Sequence, residues 1–438
     1  MALIGTGYAA FIQQMSKLLH DDPVLFEAYA VRDAEVSAAW LIKYLHFLEA
    51  ELGIEPGRQP PATLGAAAVK KFRAICKDDD YDLDELLGLE WTETIDKGRR
   101  RKVKDKIPDF RDHEGFFADC YHGGRNEAYF AGFTPEDVIT DIDIRGAYTT
   151  AMATIHTPDW RGAIDTTDIA ILAEPGDRGM GFARVRFRFP NGTRFPCLPV
   201  RAGDAGLIYP LSGTSYATGP ELVVARRLGV NIEVEHGVFV PWLDDRRPFL
   251  QFTEVINTIR KAHETGSALE LAAKEIGNSC YGKVAQGTDL LKSPEVTGKS
   301  RVSGKRVFDS RKGEMTTLPP SSISNPALAA FITGLARAFL LAKTFQLIIR
   351  SNWANDGQVK LTEIWLFTYF PGRSGLSVTR ALTTTRPSRR DQVRLSSTCR
   401  SISPGFVRSS PNSGLIGGAW HLPLKADIGC LLNSRKRT

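Results

Sequence analysis

Asp141-Ile142-Asp143-Ile144-Arg145-Gly146-Ala147-Tyr148 is the stretch on which the reading of this chain turns. Val138, Thr140, Ile142 and Ile144 alternate with Ile139, Asp141 and Asp143. That period of two, rich in β-branched residues, predicts a strand. Alternation sends Asp141 and Asp143 to one face, opposite Ile142 and Ile144. Two such carboxylates repel each other unless a cation or a basic side chain sits between them. The plain alternative is a solvated edge strand, where exposed Asp is at home.

A second stretch, Lys274-Glu-Ile-Gly-Asn278-Ser-Cys-Tyr281-Gly282, narrows the choice. Positions 274, 278 and 281 are i, i+4 and i+7, so on a helix they share one narrow face. An ammonium, an amide and a phenol make a strange core face. They suit an anionic ligand with a planar ring and a sugar: Lys for phosphate charge, an aromatic for stacking. Gly282 is expected to close this helix, because Gly accepts the left-handed conformation.

Together the two stretches resemble the palm and fingers motifs of family B DNA polymerases. The palm motif of that family runs D-x-x-S-L-Y-P. Asp143 and Tyr148 keep its spacing, while Gly146, Ala147 and Thr149 depart from it. The fingers motif runs K-x-x-x-N-S-x-Y-G, and Lys274, Asn278, Ser279, Tyr281 and Gly282 all match. The resemblance implies an α+β fold: a palm with an antiparallel sheet and a helical-hairpin fingers, preceded by a remnant of an exonuclease domain. It implies addition of deoxynucleotides to a primer hydroxyl on a DNA template, with Mg²⁺ ions held by paired carboxylates activating the nucleophile and balancing charge on the leaving pyrophosphate. Asp143 is then the metal ligand, with Asp141 the second candidate. Tyr148 packs under the deoxyribose, where a 2′-hydroxyl would clash. Lys274 neutralises the triphosphate, and Asn278 and Tyr281 line the pocket of the nascent base pair.

Two further motifs stand upstream in the order the family has them. Tyr121-His-Gly123-Gly124-Arg125 reads on its own as a Gly-Gly turn. Functionally, paired glycines let a backbone approach a phosphate, with Arg125 pairing to it and Tyr121 stacking. It resembles the family's Y-x-G-G motif, which grips the template–primer, and Gly282 belongs with it among the expected DNA contacts. Tyr29 and Asp33 share a face of an expected helix over 24–54 that Asp22 and Pro23 start. On their own they read as a half-buried Tyr and a surface Asp; by resemblance they are the Y-x-x-x-D of a proofreading nuclease. A two-metal nuclease needs several carboxylates, and no D-x-E precedes Tyr29, so no proofreading is expected.

The expected division is an exonuclease-domain remnant over 1–58, a linker region over 59–120, a first palm part over 121–248, and a fingers helix pair over 249–282. A second palm part over 283–350 and an aberrant basic tail over 351–438 follow. The acidic run from Asp78 to Glu85 and the basic run from Lys97 to Lys104 read as solvated loops; the basic run is also a candidate DNA-backbone contact. Phe182 to Pro190 reads as a strand with Arg184, Arg186 and Arg188 on one face, and Gly219 opens a helix. This portion looks like the organellar, viral and plasmid branch of family B, in which protein-primed members add a terminal protein as partner. Arg260 and Lys261 end the first fingers helix and could flank the triphosphate, although a helix C-terminus favours cations in any case. Residues 283–320 read as basic and strand-poor. Asn325-Pro326 starts a helix to about Ile349 whose apolar residues read as packing, not chemistry.

Composition sets outer bounds. The 438 residues, 42% hydrophobic and 24% charged, suffice for two or three domains. No run approaches the roughly 20 apolar residues of a membrane span. Six cysteines without a CxxC pair argue against zinc and a disulfide framework and fit a reducing cytoplasm. The net charge of +6 is uneven: residues 371–438 hold 12 Lys+Arg against Asp391 and Asp427. The rest of the chain is slightly acidic, so a nucleic-acid surface must be a local groove. The second palm carboxylate motif expected after the Asn325 helix has one candidate, Asp356, which reads first as a turn residue. The loss of acids just there fits a tail read out of frame and a chain truncated at both ends, so weak or absent activity is expected.

Overall fold

A computed structural model of the chain describes residues 15–55, 57, 59–96, 99–127, 146–174, 176–202, 206–297, 306–309, 313–352, 366–369 and 376–379. Helix α1 (Met15–Asp21) leads into α2 (Pro23–Ala50). Asp22 accepts a hydrogen bond from Leu25 N at 2.9 Å, and Pro23 takes the first turn, which fixes the start of α2. Its buried residues, Phe47 and Leu48, lie at its far end.

Thr63 caps α3 (Leu64–Asp78), whose stripe of Ala67, Ala68, Phe72, Ile75 and Cys76 is buried. The ring of Phe72 stacks on that of Phe249 at 4.5 Å. Asp82 caps the short α4 (Leu83–Leu87), and β1 (Leu89–Asp96) pairs antiparallel with β2 (Arg99–Lys106). The middle of the acidic run, residues 79–82, is the turn between α3 and α4, as its charge suggested, and ends in the Asp82 cap; residues 99–104 of the basic run are strand and not loop, because Trp91, Thr92, Thr94, Ile95 and Val103 provide β-formers along the ribbon. Helix α5 (Pro108–Asp119) follows, with Phe110 and Phe117 set against the buried Trp160. Ala67, Phe72, Ile75, Leu86, Phe110 and Phe117 all belong to the main core cluster.

After α6 (Ala147–Met152) come β3 (Ile164–Asp165), α7 (Ile169–Leu172), β4 (Gly179–Arg188), β5 (Val200–Arg201), β6 (Leu207–Ile208), β7 (Ser212–Thr218), α8 (Gly219–Arg227) and β8 (Asn231–Pro241). The central sheet has the order β3-β8-β4-β7 and is antiparallel throughout. Strand β4 alternates as its sequence requires. Met180 and Phe182 face one core cluster, and Ala183, Val185 and Phe187 face the other. Its charged face is answered across the strand pair: Arg186 meets Glu233 and Glu235, and Arg184 meets Glu235 and Glu295.

Helices α9 (Pro248–Ala262) and α10 (Ala268–Val284) form a pair joined by a short turn, with Ser267 capping the second. Gly277 makes the packing possible: a Cβ there would stand 3.2 Å from Ile256 of α9 and 3.1 Å from Thr149 of α6. A 3-10 turn, α11 (Pro294–Thr297) and the antiparallel pair β9 (Arg306–Asp309) and β10 (Glu314–Thr317) follow, so the stretch expected to be strand-poor contains a hairpin. Helix α12 (Pro326–Asn352) is capped by Asn325, which accepts from Leu328 N at 3.0 Å. The short pair β11 (Leu366–Tyr369) and β12 (Leu376–Thr379) is the last described feature. None of the described helices is long and apolar enough to cross a membrane.

Candidate functional site

Three of the motifs meet at one place. Gly146, at φ +64°, makes the left-handed turn into α6 that a side-chain-bearing residue would adopt only under strain. Tyr148, two residues on, lies flat against Tyr281 of α10, with ring centroids 4.5 Å apart and planes within 6° of parallel. The hydroxyls of Tyr281 and Tyr121 share a hydrogen bond of 3.1 Å. Gly124 closes the group: a Cβ there would come within 2.9 Å of the Tyr148 hydroxyl, so the loop runs close against the end of that side chain. Burial raises the phenol pKa values of both Tyr121 and Tyr281, which keeps them neutral hydrogen-bonding groups at physiological pH.

Behind this group lies a buried polar scaffold. Arg337 of α12 donates from Nε to Glu221 of α8 at 2.9 Å, and from Nη1 to the carbonyls of His122 and Gly123 at 2.8 and 2.7 Å. Both side chains are almost wholly buried. Burial opposes the charge on Arg337, but Glu221 outweighs it and the guanidinium pKa is raised. Glu221 is held in turn by the N-terminal cap of α8, where Thr218 donates to it from N at 3.0 Å and from Oγ1 at 2.9 Å. Gly334 lets α12 come this close, since a Cβ there would collide with Thr218. His122 donates from Nε2 to Tyr216 O at 2.8 Å, and burial with the neighbouring Arg337 charge pushes its pKa well down, so the ring stays neutral. From below, Lys292 sets its ammonium 4.9 Å from the centre of the Tyr121 ring and pairs with Asp289 at 2.7 Å. Tyr121, His122 and Gly123 are thus fixed from two sides.

The remaining sequence-derived candidates fall in different places. Lys274 is exposed on α10, Asn278 is half-buried one turn on, and Tyr281 follows on the same face. Gly282 lies within α10 and does not end it. The helix runs on to Val284, whose burial in the core draws the last turn inward, and Ala285 is its cap. Arg260 is engaged by Glu270 at 2.8 Å, and Lys261 is exposed beside it. Arg125 is paired with Glu127 and lies over the Tyr209 ring at 4.0 Å, with its side chain 4% exposed, so it faces inward rather than toward solvent. On α2, Tyr29 is half-buried and Asp33 exposed. Asp141, Asp143 and Asp356 lie outside the described residues. Among the described residues no three His, Cys, Asp or Glu side chains cluster so as to hold a metal ion.

Arg337 is the buried polar residue beside the tyrosine group that sequence reading missed, because its helix was assigned to packing alone. The signal was present: from Pro326 to Leu341 it is the one charged residue in an otherwise apolar and small-residue stretch, and an Arg in such a setting is seldom buried without a partner.

No protein-family model matches the chain. It is 38% identical over 344 residues to "Primer-independent DNA polymerase PolB" of Escherichia coli, a match covering 75% of this chain and 37% of that protein. The chain therefore spans little more than a third of that relative's length. Among solved structures, Phi29 DNA polymerase in an orthorhombic crystal form aligns over 69% of this chain and 48% of its own, at 18% identity and TM-score 0.41. Its ternary complex with primer-template DNA and incoming nucleotide aligns over 65% and 46%, at 19% identity and TM-score 0.39. At those scores the structural likeness carries no argument; the sequence match does.

Proposed function

Since the chain belongs to the family B DNA polymerases, we propose that the tyrosine group is the floor of a deoxynucleoside triphosphate site and that the chain carries a DNA-directed DNA polymerase centre. The observation that supports this most is the joining of Tyr121, Gly124, Tyr148 and Tyr281, residues of three separate motifs, within one packed group.

Each side chain then has a task its chemistry suits. Tyr148 supports the deoxyribose, and its stack on Tyr281 sets the height of the ring, so a ribose 2′-hydroxyl meets a surface that cannot yield. Tyr281, oriented by the Tyr121 hydroxyl, and Asn278 border the nascent base pair. Lys274 offers an exposed ammonium on the same helix face to the triphosphate, with Lys261 and Arg260 at the end of the neighbouring helix. Tyr121, Gly123 and Gly124 approach the template–primer backbone, and Arg337 positions this loop through the carbonyls of His122 and Gly123. Asp143, with Asp141, is the proposed Mg²⁺ ligand. Carboxylate oxygens are the donors that ion prefers, and three residues of chain keep Asp143 within about 11 Å of Gly146. When bound, the ion supplies charge neutralisation and activation of the primer hydroxyl. In this reading the α9–α10 pair is the fingers, the central sheet belongs to the palm, and Tyr29 and Asp33 carry the Y-x-x-x-D motif of an exonuclease domain.

A second reading is a DNA-binding chain with little or no catalysis. It is favoured by one sequence observation: the one Asp-Gly pair after α12, Asp356-Gly357, reads first as a turn, and a single carboxylate motif holds two ions poorly. Mg²⁺-dependent extension, measured on primed and on unprimed templates because the relative is primer-independent, separates the two. Incorporation abolished by Asp143→Ala supports the polymerase. Template binding without incorporation supports the second reading.

A further inference from the structure

We propose that the β1–β2 hairpin is a single-stranded DNA-binding arm, distinct from the tyrosine site, that holds phosphates through Arg100, Lys102 and Lys104 and stacks a base on Trp91. The choice of DNA as the nucleic acid rests on the polymerase reading above; the choice of this surface does not.

Among the described residues the ribbon pairs with no other strand. Strand β2 is exposed over all but its last residue and carries six Lys and Arg against the single acid Asp105. The pairing register sets Trp91 opposite Lys104, Glu93 opposite Lys102 and Ile95 opposite Arg100. Directly opposed residues share a face, so one face combines an indole, an aliphatic side chain and three cations. Trp91 is 63% exposed and Ile95 73%. The Lys104 ammonium lies 5.0 Å from the indole centre and also reaches Asp84 at 2.7 Å. Glu93, the one carboxylate of that face, approaches Arg100 only to 3.9 Å.

This combination selects its occupant. A ribbon kept soluble by charge needs the cations but gains nothing from an exposed indole. A protein-docking patch uses the indole and isoleucine, but its centre is depleted in lysine. A single strand of DNA uses all three. Its phosphates are drawn to a row of cations, and its unpaired bases stack on an exposed aromatic ring whatever their sequence. A lone two-stranded ribbon is also only marginally stable, and an occupant lying along it adds packing that the ribbon cannot make by itself.

Fluorescence anisotropy of a labelled oligo-dT, titrated with the full chain over a salt series, tests the proposal. Replacing Arg100, Lys102 and Lys104 by Gln is expected to weaken binding more than tenfold and to flatten the log–log salt slope by roughly 0.7 for each phosphate no longer neutralised. Trp91→Ala is expected to weaken it roughly tenfold with the slope unchanged. A charge-keeping variant, Arg100→Lys, retains the slope, which separates removal of charge from misfolding; melting curves of each variant check the fold directly. Lys274→Ala leaves the hairpin-dependent part of the affinity in place. Wild-type affinity and slope in both the Gln variant and Trp91→Ala overturn the proposal, as does weakening confined to a duplex of the same length. If the expected weakening appears but the wild-type chain extends no template, the polymerase reading fails and the arm stands. If extension proceeds and the weakening is absent, the arm alone fails.

Discussion

A lysine ammonium lies about the same distance from an aromatic ring at two places in this molecule, 4.9 Å for Lys292 over Tyr121 and 5.0 Å for Lys104 over Trp91. The surroundings could hardly differ more. Lys292 is 2% exposed at its side chain and sits under a phenol that is already hydrogen-bonded and fixed. Lys104 is 37% exposed at its side chain and Trp91 63% exposed, on a ribbon whose second strand is exposed over all but its last residue. The same pair is mortar in one setting and an open grip in the other, because a desolvated contact is already committed to the fold while a wet one can be shared with a ligand. Burial, not residue type, decides which of the two a cation and a ring will be.

That contrast can be broken at its buried end first. Arg337→Met strands Glu221 as an unpaired buried carboxylate and is expected to cost about 3–5 kcal/mol in urea denaturation. Adding Glu221→Leu should recover much of the loss, because the stranded charge is then gone. A cost under about 1 kcal/mol for the single change would show the scaffold to be wetter than described. Tyr121→Phe removes only the hydroxyl that meets Tyr281 and is expected to cost about 1 kcal/mol, together with a weaker grip on deoxynucleotide in equilibrium dialysis.

A pH profile sharpens the same comparison. Burial holds the Lys292 pKa below its ordinary value, with Asp289 offsetting only part of the effect. The unfolded chain therefore binds this proton more tightly than the folded one, so stability rises as pH climbs from the depressed value toward the ordinary lysine range. Lys292→Met should flatten that alkaline rise, and an unchanged profile would count against the dry setting of Lys292. At the exposed end, Trp91→Ala should move the unfolding free energy by no more than about 0.5 kcal/mol. A larger drop would mean that the indole is packed into the fold and not held out from it.

The parts legible in the sequence were those with a local signature. The Asp22-Pro23 start of α2, the Asn325 cap of α12 and the two-residue alternation of β4 are written in adjacent positions, and the structure has each of them. The i, i+4, i+7 face of Lys274, Asn278 and Tyr281 was legible for the same reason. Gly282 misled because a helix end is decided by what the next turn packs against, and Val284 is drawn into the core. The basic run misled because charge was read before its strand partner β1 was considered. Arg337 was hidden because its partners, Glu221, His122 and Gly123, lie more than a hundred residues away, and no local period reports such a contact. Asp141 and Asp143 remain a reading of sequence, since they lie outside the described residues.

The central claim is that the stacked Tyr148 and Tyr281 form a deoxyribose-selecting floor, and binding tests it without requiring turnover. Equilibrium dialysis of dGTP against GTP, in Mg²⁺ with a primed template, compares the wild-type chain with Tyr148→Ala. The wild-type chain should prefer dGTP clearly, and the variant should still bind dGTP while admitting GTP nearly as well. Equal binding of the two nucleotides by the wild-type chain, or a preference that survives Tyr148→Ala, would contradict it.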